Sequence, residues 1–511
     1  MAVIKTDPRK EGKYSFDEAI TLTGFGAFNI CLFFIIGGFL MCVIIETMSM
    51  MFIVPAAKCD LQLTLSQQGL LSSISFFGVV TSSHAWGFLA DTRGRRNVLI
   101  CSLISSFIAS ICCSFVQTSW LFILLRYING GCIGGASSIV YAYIGEFHND
   151  KIRPKIVSGV ATFVAFGNMY LPGLAWLILP QQWTVDIDFM NLEFKPWRLL
   201  IIIYAMPSFI FAILLCFLPE SPKFLLTQGK YEETLEILKT MFKVNRGLSK
   251  EDYVVSEIFW DDLGMSKSKS FLKTLWKQTV PLLRHPLLSK TLGVSLLQFG
   301  IFASTSGMIM WYPTILNTMS RFVDERPDDQ LTLCKSIYWE ETNTTASTQT
   351  VQGCNDEVKT KVFMISLVIG MVYACMYIFI GLLINVIGKK NLLCLFIVVG
   401  TTAGMISQYI EGYQMIQIMM GIFVIGGVEV GIVNAIVVDL FPTQIRAMAL
   451  AMSLMFGRFG AMVGTNLVGP LIYNWCNYLF YVFTANHLVL MGIIFLLPSP
   501  RPLKQIMNDD A

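Results

Sequence analysis

The sequence predicts an all-α integral membrane protein: twelve transmembrane helices in two pseudo-symmetric six-helix bundles, with both termini in the cytosol. Three observations carry this. Of the 511 residues, 54% are hydrophobic and 14% charged, and the mean hydropathy of +0.62 is above that of an aqueous globule. The apolar residues gather in blocks of roughly 20 to 28, long enough to cross a hydrocarbon core of about 30 Å as helices, which satisfy their own backbone polar groups where lipid cannot. Finally, the stretch GFLADTRGRR at Gly87 returns in altered form as GLLINVIGKK at Gly381.

Read in order, residues 1–26 are polar and mixed in charge, form a cytoplasmic segment, and contain nothing resembling a removable signal peptide. The first bundle occupies 27–218, with spans at 27–55, 69–89, 97–116, 120–145, 156–179 and 199–218. A cytoplasmic connector, 219–290, carries an expected amphipathic helix with Leu235, Leu238, Met241 and Phe242 on one face, ended by Gly247. The second bundle occupies 291–497, with spans at 291–316, 362–384, 392–410, 415–438, 447–472 and 479–497, and a cytoplasmic tail follows at 498–511. Lysine and arginine set the orientation: Arg93, Arg95, Arg96, Lys151, Arg153, Lys155, Lys389, Lys390 and Arg446 follow even-numbered spans, whereas Lys58, Lys195 and Arg198 follow odd ones.

The outer loop, 317–361, has an acidic bias, a glycosylation sequon at Asn343 and two cysteines, Cys334 and Cys354, expected to bond to each other. Cys59 and Cys476 share that oxidising face, where a bridge persists; the other nine cysteines lie within spans as small packing residues. No cysteine and histidine cluster has metal-ligand spacing. The net charge of +3 gives no reason to expect a nucleic-acid partner. The glycine run at Gly130 lies within a span and lacks the lysine of a nucleotide-binding loop. The chain is expected to be neither an enzyme nor dependent on a cofactor.

The repeat is regular. Gly87 and Gly381 stand as far apart as Gly94 and Gly388, and EFHNDKIR from Glu146 repeats, one position closer, as DLFPTQIR from Asp439. A duplicated set of six spans implies two bundles rocking about a site near the midplane, as carriers do. GFLADTRGRR resembles the signature loop of the major facilitator superfamily, RYINGG from Arg126 its fourth-span motif, and PESPKFLL from Pro219 the close of the sixth span in sugar and organic-ion carriers. TGFGAFN near Thr23, VIIETMSMMFIVPAA, SSHAWGFLADTRGRR and VVDLFPTQIRA most resemble the synaptic vesicle glycoprotein 2 family.

The resemblance implies a gate at the cytoplasmic face. Gly87 and Gly94 permit close approach and a tight turn, Arg95 and Arg96 hold headgroups and counter-acids, and Asp91 pairs with them or faces a helix end. Gly388 and Lys389 are the second-half counterparts, expected to latch more weakly because Asn385 replaces the acid. Arg126 belongs to the same gating set. Glu146 with Arg153, and Asp439 with Arg446, form an intracellular network in the related carriers; the plainer reading is solvated loop charge.

Ionisable groups at membrane depth are functional candidates. Glu46, Glu429 and Arg458 qualify. At about 1.5 Å rise per residue, Glu429 and Arg458 reach similar depth and are expected to pair; Arg458 would bind a carboxylate or sulfate, or lock helices together with Glu429. Glu46 matches a family acid, although Val43 replaces a second, and as a lone protonatable group it would move a proton. Trp176, Trp311 and Tyr312 match aromatic positions lining the family's cavity, or belong to an interfacial belt. Gln298, with Ser304, Thr305 and Ser306, adds polarity to the seventh span, and in the tenth Val430 and Asn434 stand where the family has a tryptophan and an acid. The paired glutamines and asparagine with which sugar porters grip hydroxyls are not found.

The expected function is therefore a secondary carrier of a small organic, charged solute, with a co-transported proton or ion, in the plasma membrane or a secretory or synaptic-type vesicle. The alternatives are a non-transporting receptor or trafficking protein with the same fold, binding protein partners, and a sugar porter.

Overall fold

The computed structural model describes residues 13–181, 183–188, 191–259, 279–347, 356–441 and 443–498. It is almost wholly helical. A short strand β1 (Lys13–Ser15) leads into α1 (Phe16–Thr23), α2 (Ala27–Met48), α3 (Met50–Ala57), α4 (Leu65–Arg93), α5 (Arg95–Ser114), α6 (Ser119–Gly145), α7 (Arg153–Val160) and α8 (Phe163–Ile178). A small hairpin, β2 (Val185–Ile187) with β3 (Leu192–Phe194), precedes α9 (Pro196–Leu215), α10 (Pro222–Thr227), α11 (Tyr231–Arg246) and β4 (Glu257–Phe259). The second half comprises α12 (Leu287–Glu325), α13 (Leu333–Ser347), α14 (Thr360–Ile387), α15 (Lys389–Tyr409), α16 (Tyr413–Ile425), α17 (Glu429–Leu440), α18 (Thr443–Trp475) and α19 (Leu479–Leu496).

Ten stretches among the described residues are helical, long and apolar enough to cross a membrane. The difference from the expected twelve has two causes. α4 spans 29 residues, but Ser72, Ser73, Ser75, Ser82, Ser83 and His84 dilute its hydropathy. α18 and α19 join through a short turn at Cys476–Tyr478 and read as one apolar stretch, Met448–Leu496. The outer loop is also more ordered than its composition suggests, since α12 continues to Glu325 and α13 fills the loop's centre.

The connector helix forms as its pattern predicts. α11 buries Leu238 and Met241 and ends at Gly247, whose φ of 70° is the left-handed conformation open to glycine. Its carboxy-terminal end holds the start of α2: Asn245 accepts from the Phe28 amide at 3.1 Å and donates to Asn29 Oδ1 at 2.8 Å. β4 pairs in parallel with β1, and Tyr253 donates to the Ala19 carbonyl at 2.7 Å. The amino-terminal segment and the connector thus brace one end of the first half.

Two hydrophobic cores result, and their membership differs. One is built solely from residues between Phe16 and Ile258, on the end of the first half that carries Gly94 and the connector. The other runs the length of the second half, from Leu392 and Leu440 to Ile315 and Leu471, and takes in first-half residues only from the opposite end, among them Met50, Phe52, Leu71 and Trp197. Cross-contacts agree: Phe52 and Phe363 are 5.9 Å apart, Asn466 Nδ2 donates to Ser73 Oγ at 2.7 Å, and a Cβ on Gly370 would meet the Asn168 carbonyl at 2.9 Å. The halves close together at the Lys195 end. At the Gly94 end, positions Gly87 and Gly381 face open space.

Candidate functional site

The Gly94 turn is held by acids from neighbouring motifs. Gly94 has φ of 100° and separates α4 from α5 without a break of more than one residue. Glu220 accepts from the Arg95 and Arg96 amides, each at 3.0 Å, so the start of α5 is capped by a carboxylate from the PESPKFLL stretch. Arg95 bridges Glu146 at 2.5 Å and Asp91 at 3.5 Å; the first pair is largely enclosed, while Asp91 is mostly exposed. Ser221 donates to Glu146 at 2.5 Å, and Arg96 caps the end of α9 through the Leu215 and Cys216 carbonyls. Burial pushes the Glu146 carboxyl up from its ordinary range, opposed by Arg95 and by the Ser221 hydroxyl.

The expected pairing of Glu146 with Arg153 is corrected. α6 stops at Gly145, and Arg153 turns back to donate to the Gly145 and His148 carbonyls and to pair with Asp150 at 2.7 Å. Asp439 likewise pairs with Lys389 at 2.6 Å, whereas Arg446 donates to the Phe441 carbonyl. Each acid therefore meets the base that follows the glycine turn, Arg95 in the first half and Lys389 after Gly388 in the second. The repeat extends from sequence to side-chain pairing.

Arg126 is also corrected. It lies in the first third of α6, 1% exposed, far from the turn, and forms an ion pair with Glu46 at 3.5 Å. Glu46 accepts from Ser110 at 2.8 Å and Asn129 at 3.2 Å, and Arg126 donates to Ser49 at 2.9 Å and to the Glu46 carbonyl. Glu46 is thus not a lone group. Sequence reasoning missed this network, yet a signal was present: Ser102, Ser106, Ser110 and Ser114 recur every fourth residue on one face of α5, and all are buried.

The second half is organised differently. The tenth span is interrupted by a tight 3-10 turn, Gly426–Val428, between α16 and α17. Glu429 opens α17, is 1% exposed, and its Oε2 has no hydrogen-bond partner. The expected pair with Arg458 does not form among the described residues. Equal depth does not bring the two together, because Arg458 projects, half-buried, towards the Tyr141 phenol of the first half, close enough for their charges to interact. Tyr377 interacts with Tyr141 in the same way, so Tyr141, Tyr377 and Arg458 face one another between the halves.

The remaining candidates separate. Tyr312 lines a narrow cleft between the halves with Met48, Met51, Asn168, Ser366 and Tyr373, whose free volume is about 30 Å³. Trp311 turns away, donating to the Thr465 carbonyl at 2.8 Å and covering Gly469, so it packs α12 on α18. Trp176 is 39% exposed at the end of α8, in keeping with the interfacial belt. Gln298 donates to Asn434 at 2.8 Å. Gly460 and Gly464 lie against the Phe299 and Ala303 carbonyls, as expected for small residues at a tight crossing.

At the Lys195 end, Lys195 pairs with Asp60, which also accepts from Trp197 at 2.8 Å. Asp356 of the second half lies within electrostatic reach of both, and burial pushes its carboxyl up. The expected bridge between Cys334 and Cys354 is overturned: Cys334 bonds to Cys476, because α13 folds back over the end of α18. Cys59 is also disulfide-bonded; Cys354 lies outside the described residues. Asn343 falls in α13.

Long apolar helices, paired turns repeated in each half and a cleft between the halves define a multi-pass membrane carrier fold. Residues 30–324 match the family described as sugar (and other) transporter. The chain belongs to that family, within the major facilitator superfamily. It is 30% identical to human synaptic vesicle glycoprotein 2B over 325 residues, 59% of this chain and 47% of that protein. It is also 30% identical to rat synaptic vesicle glycoprotein 2C, over 57% of this chain and 43% of that one. The chain thus matches about half the length of these curated relatives. In fold it resembles the E. coli xylose transporter in a partially occluded inward-open conformation, with a TM-score of 0.66 at 15% identity, over 93% of this chain and 99% of that one. The inward-open conformation of that transporter gives 0.65 over 93% and 97%.

Proposed function

We propose that this chain is a secondary carrier moving a small organic, charged solute by alternating access between two six-helix bundles, 27–218 and 291–497. The observation that carries this is the asymmetry of the cores: among the described residues, the halves share one at the Lys195 end and none at the Gly94 end. With the lysine- and arginine-rich turns on the cytosolic side, that is a chamber closed outward and open inward. Arg458, Tyr141 and Tyr377 form its charged and aromatic wall, and Tyr312 lies at its narrow outer end. An arginine suits a carboxylate or sulfate, and the phenols suit a flat or apolar body. The pairs Arg95 with Glu146 and Lys389 with Asp439 act as braces that rearrange when the inner mouth closes. The solute is moved without chemical change, across the plasma membrane or the membrane of a secretory or synaptic-type vesicle, with Asn343 glycosylated on the outer face.

The test is uptake of labelled organic anions and cations into proteoliposomes. The account expects saturable uptake of an anion, reduced at least tenfold by Arg458→Gln at equal folded yield. Absence of both binding and movement across the panel, with a single access state, would favour a non-transporting receptor.

A further inference from the structure

We propose that Glu429 is a reversible proton-binding site in the second half, separate from the Glu46 and Arg126 ion pair. The inference begins at the break in the tenth span. Gly426 and Gly427 keep the space there free: a Cβ on Gly426 would press on Glu429 Oε1 at 3.3 Å, and one on Gly427 would collide with the Tyr373 hydroxyl. Thr305 flanks both glycines. The glycine gap is therefore filled by a carboxyl, a phenol and a threonine.

The hydrogen-bond roles of these neighbours are already fixed. Tyr373 donates to the Val424 carbonyl at 2.8 Å, and Thr305 donates to the Ile301 carbonyl at 2.7 Å. Each hydroxyl has spent its one hydrogen and presents only lone pairs. Glu429 is 1% exposed with Oε2 unpartnered, so as a carboxylate it would bury a charge with no donor at that oxygen. As a carboxylic acid it carries no charge to be stabilised.

No cation offsets it instead. The elements packed against α17 carry Tyr312 and Arg321 on α12, Tyr373 and Tyr377 on α14, Lys389 and Lys390 on α15, and Arg446 and Arg458 on α18, with His487 on α19 beyond them; Arg321 is committed to Glu340, Lys390 to the Leu497 carbonyl and Arg446 to the Phe441 carbonyl. Lys389 is committed to Asp439, His487 lies between Ser304 and Thr401, and Arg458 faces Tyr141. Among the described residues none forms an ion pair with Glu429. Binding is a single step: Oε2 forms an O–H bond with a proton taken from water, and release returns that proton to water. Tyr373 also lines the cleft between the halves, so rocking of the halves would change the water to which the site is exposed.

The experiment is infrared difference spectroscopy of the purified full chain in lipid across a pH titration, with no solute added. The wild type should show the carbonyl stretch of a protonated carboxylic acid, converting to carboxylate as pH rises. The band should be lost in Glu429→Gln, retained in Glu46→Gln, and shifted in frequency in Tyr373→Phe, which folds independently of the first substitution. A band retained in Glu429→Gln, one unmoved in Tyr373→Phe, or one abolished by sodium or potassium in place of protons would overturn the proposal. Because no solute is involved, failure here leaves the carrier reading standing, and failure of the carrier reading leaves this result intact.

Discussion

Glu46 in the first half and Glu429 in the second are acids at comparable remove from water, each 1% exposed, in opposite circumstances. Glu46 is held by an arginine, a serine and an asparagine drawn from α5 and α6. Among the described residues Glu429 has neither a cation nor a donor for Oε2. A buried ion pair is costly to break, because removing one partner strands the other charge, whereas an unpaired acid can change its charge state. The first half therefore reads as a fixed frame and the second as the part able to respond. The turns repeat the contrast, since Glu220 and Ser221 reinforce the Arg95 brace while the Lys389 pair is more exposed.

The sharpest way to break this comparison is Arg126→Leu set against Arg458→Gln. The first strands Glu46 and should lower stability by about 3–5 kcal/mol; the second removes a half-buried, unpaired group and should cost about 0.5 kcal/mol or less. Thermal unfolding in detergent compares them, and equal losses would erase the distinction between frame and chamber wall. Next in size is the bridge that ties α13 to the end of α18. Cys334→Ala and Cys476→Ala should each cost about 2–4 kcal/mol, and the double variant no more than either alone; additive losses would mean the two cysteines act separately.

A smaller effect separates the turns. Gly94 and Gly388 both have positive φ, 100° and 87°, with ψ of 146° and 145°, a region essentially reserved to glycine, so alanine at either carries about 1–3 kcal/mol of backbone strain. At Gly94 the added Cβ would also strike the Glu220 carboxylate, whereas Gly388 has open space; Gly94→Ala should therefore be the more destabilising. The smallest concerns the connector brace. Burial holds the His148 ring below its ordinary value, and its Nε2 accepts from the Asn29 amide at 3.0 Å. Its contribution is present above the ordinary value of about 6.5 and is lost as pH falls through that value towards the folded one. Hydrogen exchange at α1 and α11 should rise on acidification, less so in His148→Asn.

Much of this fold was written in local pattern. Span lengths, the amphipathic connector helix with its Gly247 stop, and the tight glycine crossing at Gly460 and Gly464 follow from periodicity and residue size, which need no knowledge of neighbours. The site was legible only in part. Glu46, Glu429 and Arg458 stood out because charge in an apolar span is conspicuous, but their partners depend on how helices rotate against one another, which depth alone does not specify. Arg126 was assigned to the turn although the serine stripe on α5 marked a polar seam at its depth. The disulfide was misassigned because proximity along a loop was taken for proximity in space, and a helix, α13, carries Cys334 to Cys476 instead.

The central claim is that the two halves close together at one end while parting at the other. It is tested most directly by distances between spin labels in lipid, at Gly87 with Gly381 and at Ser66 with Asp328, in a chain whose exposed native cysteines are replaced. The account predicts two populations for each pair, with the Gly87 to Gly381 distance shortening as the Ser66 to Asp328 distance lengthens. Distances that stay single, or that lengthen and shorten together, would contradict it.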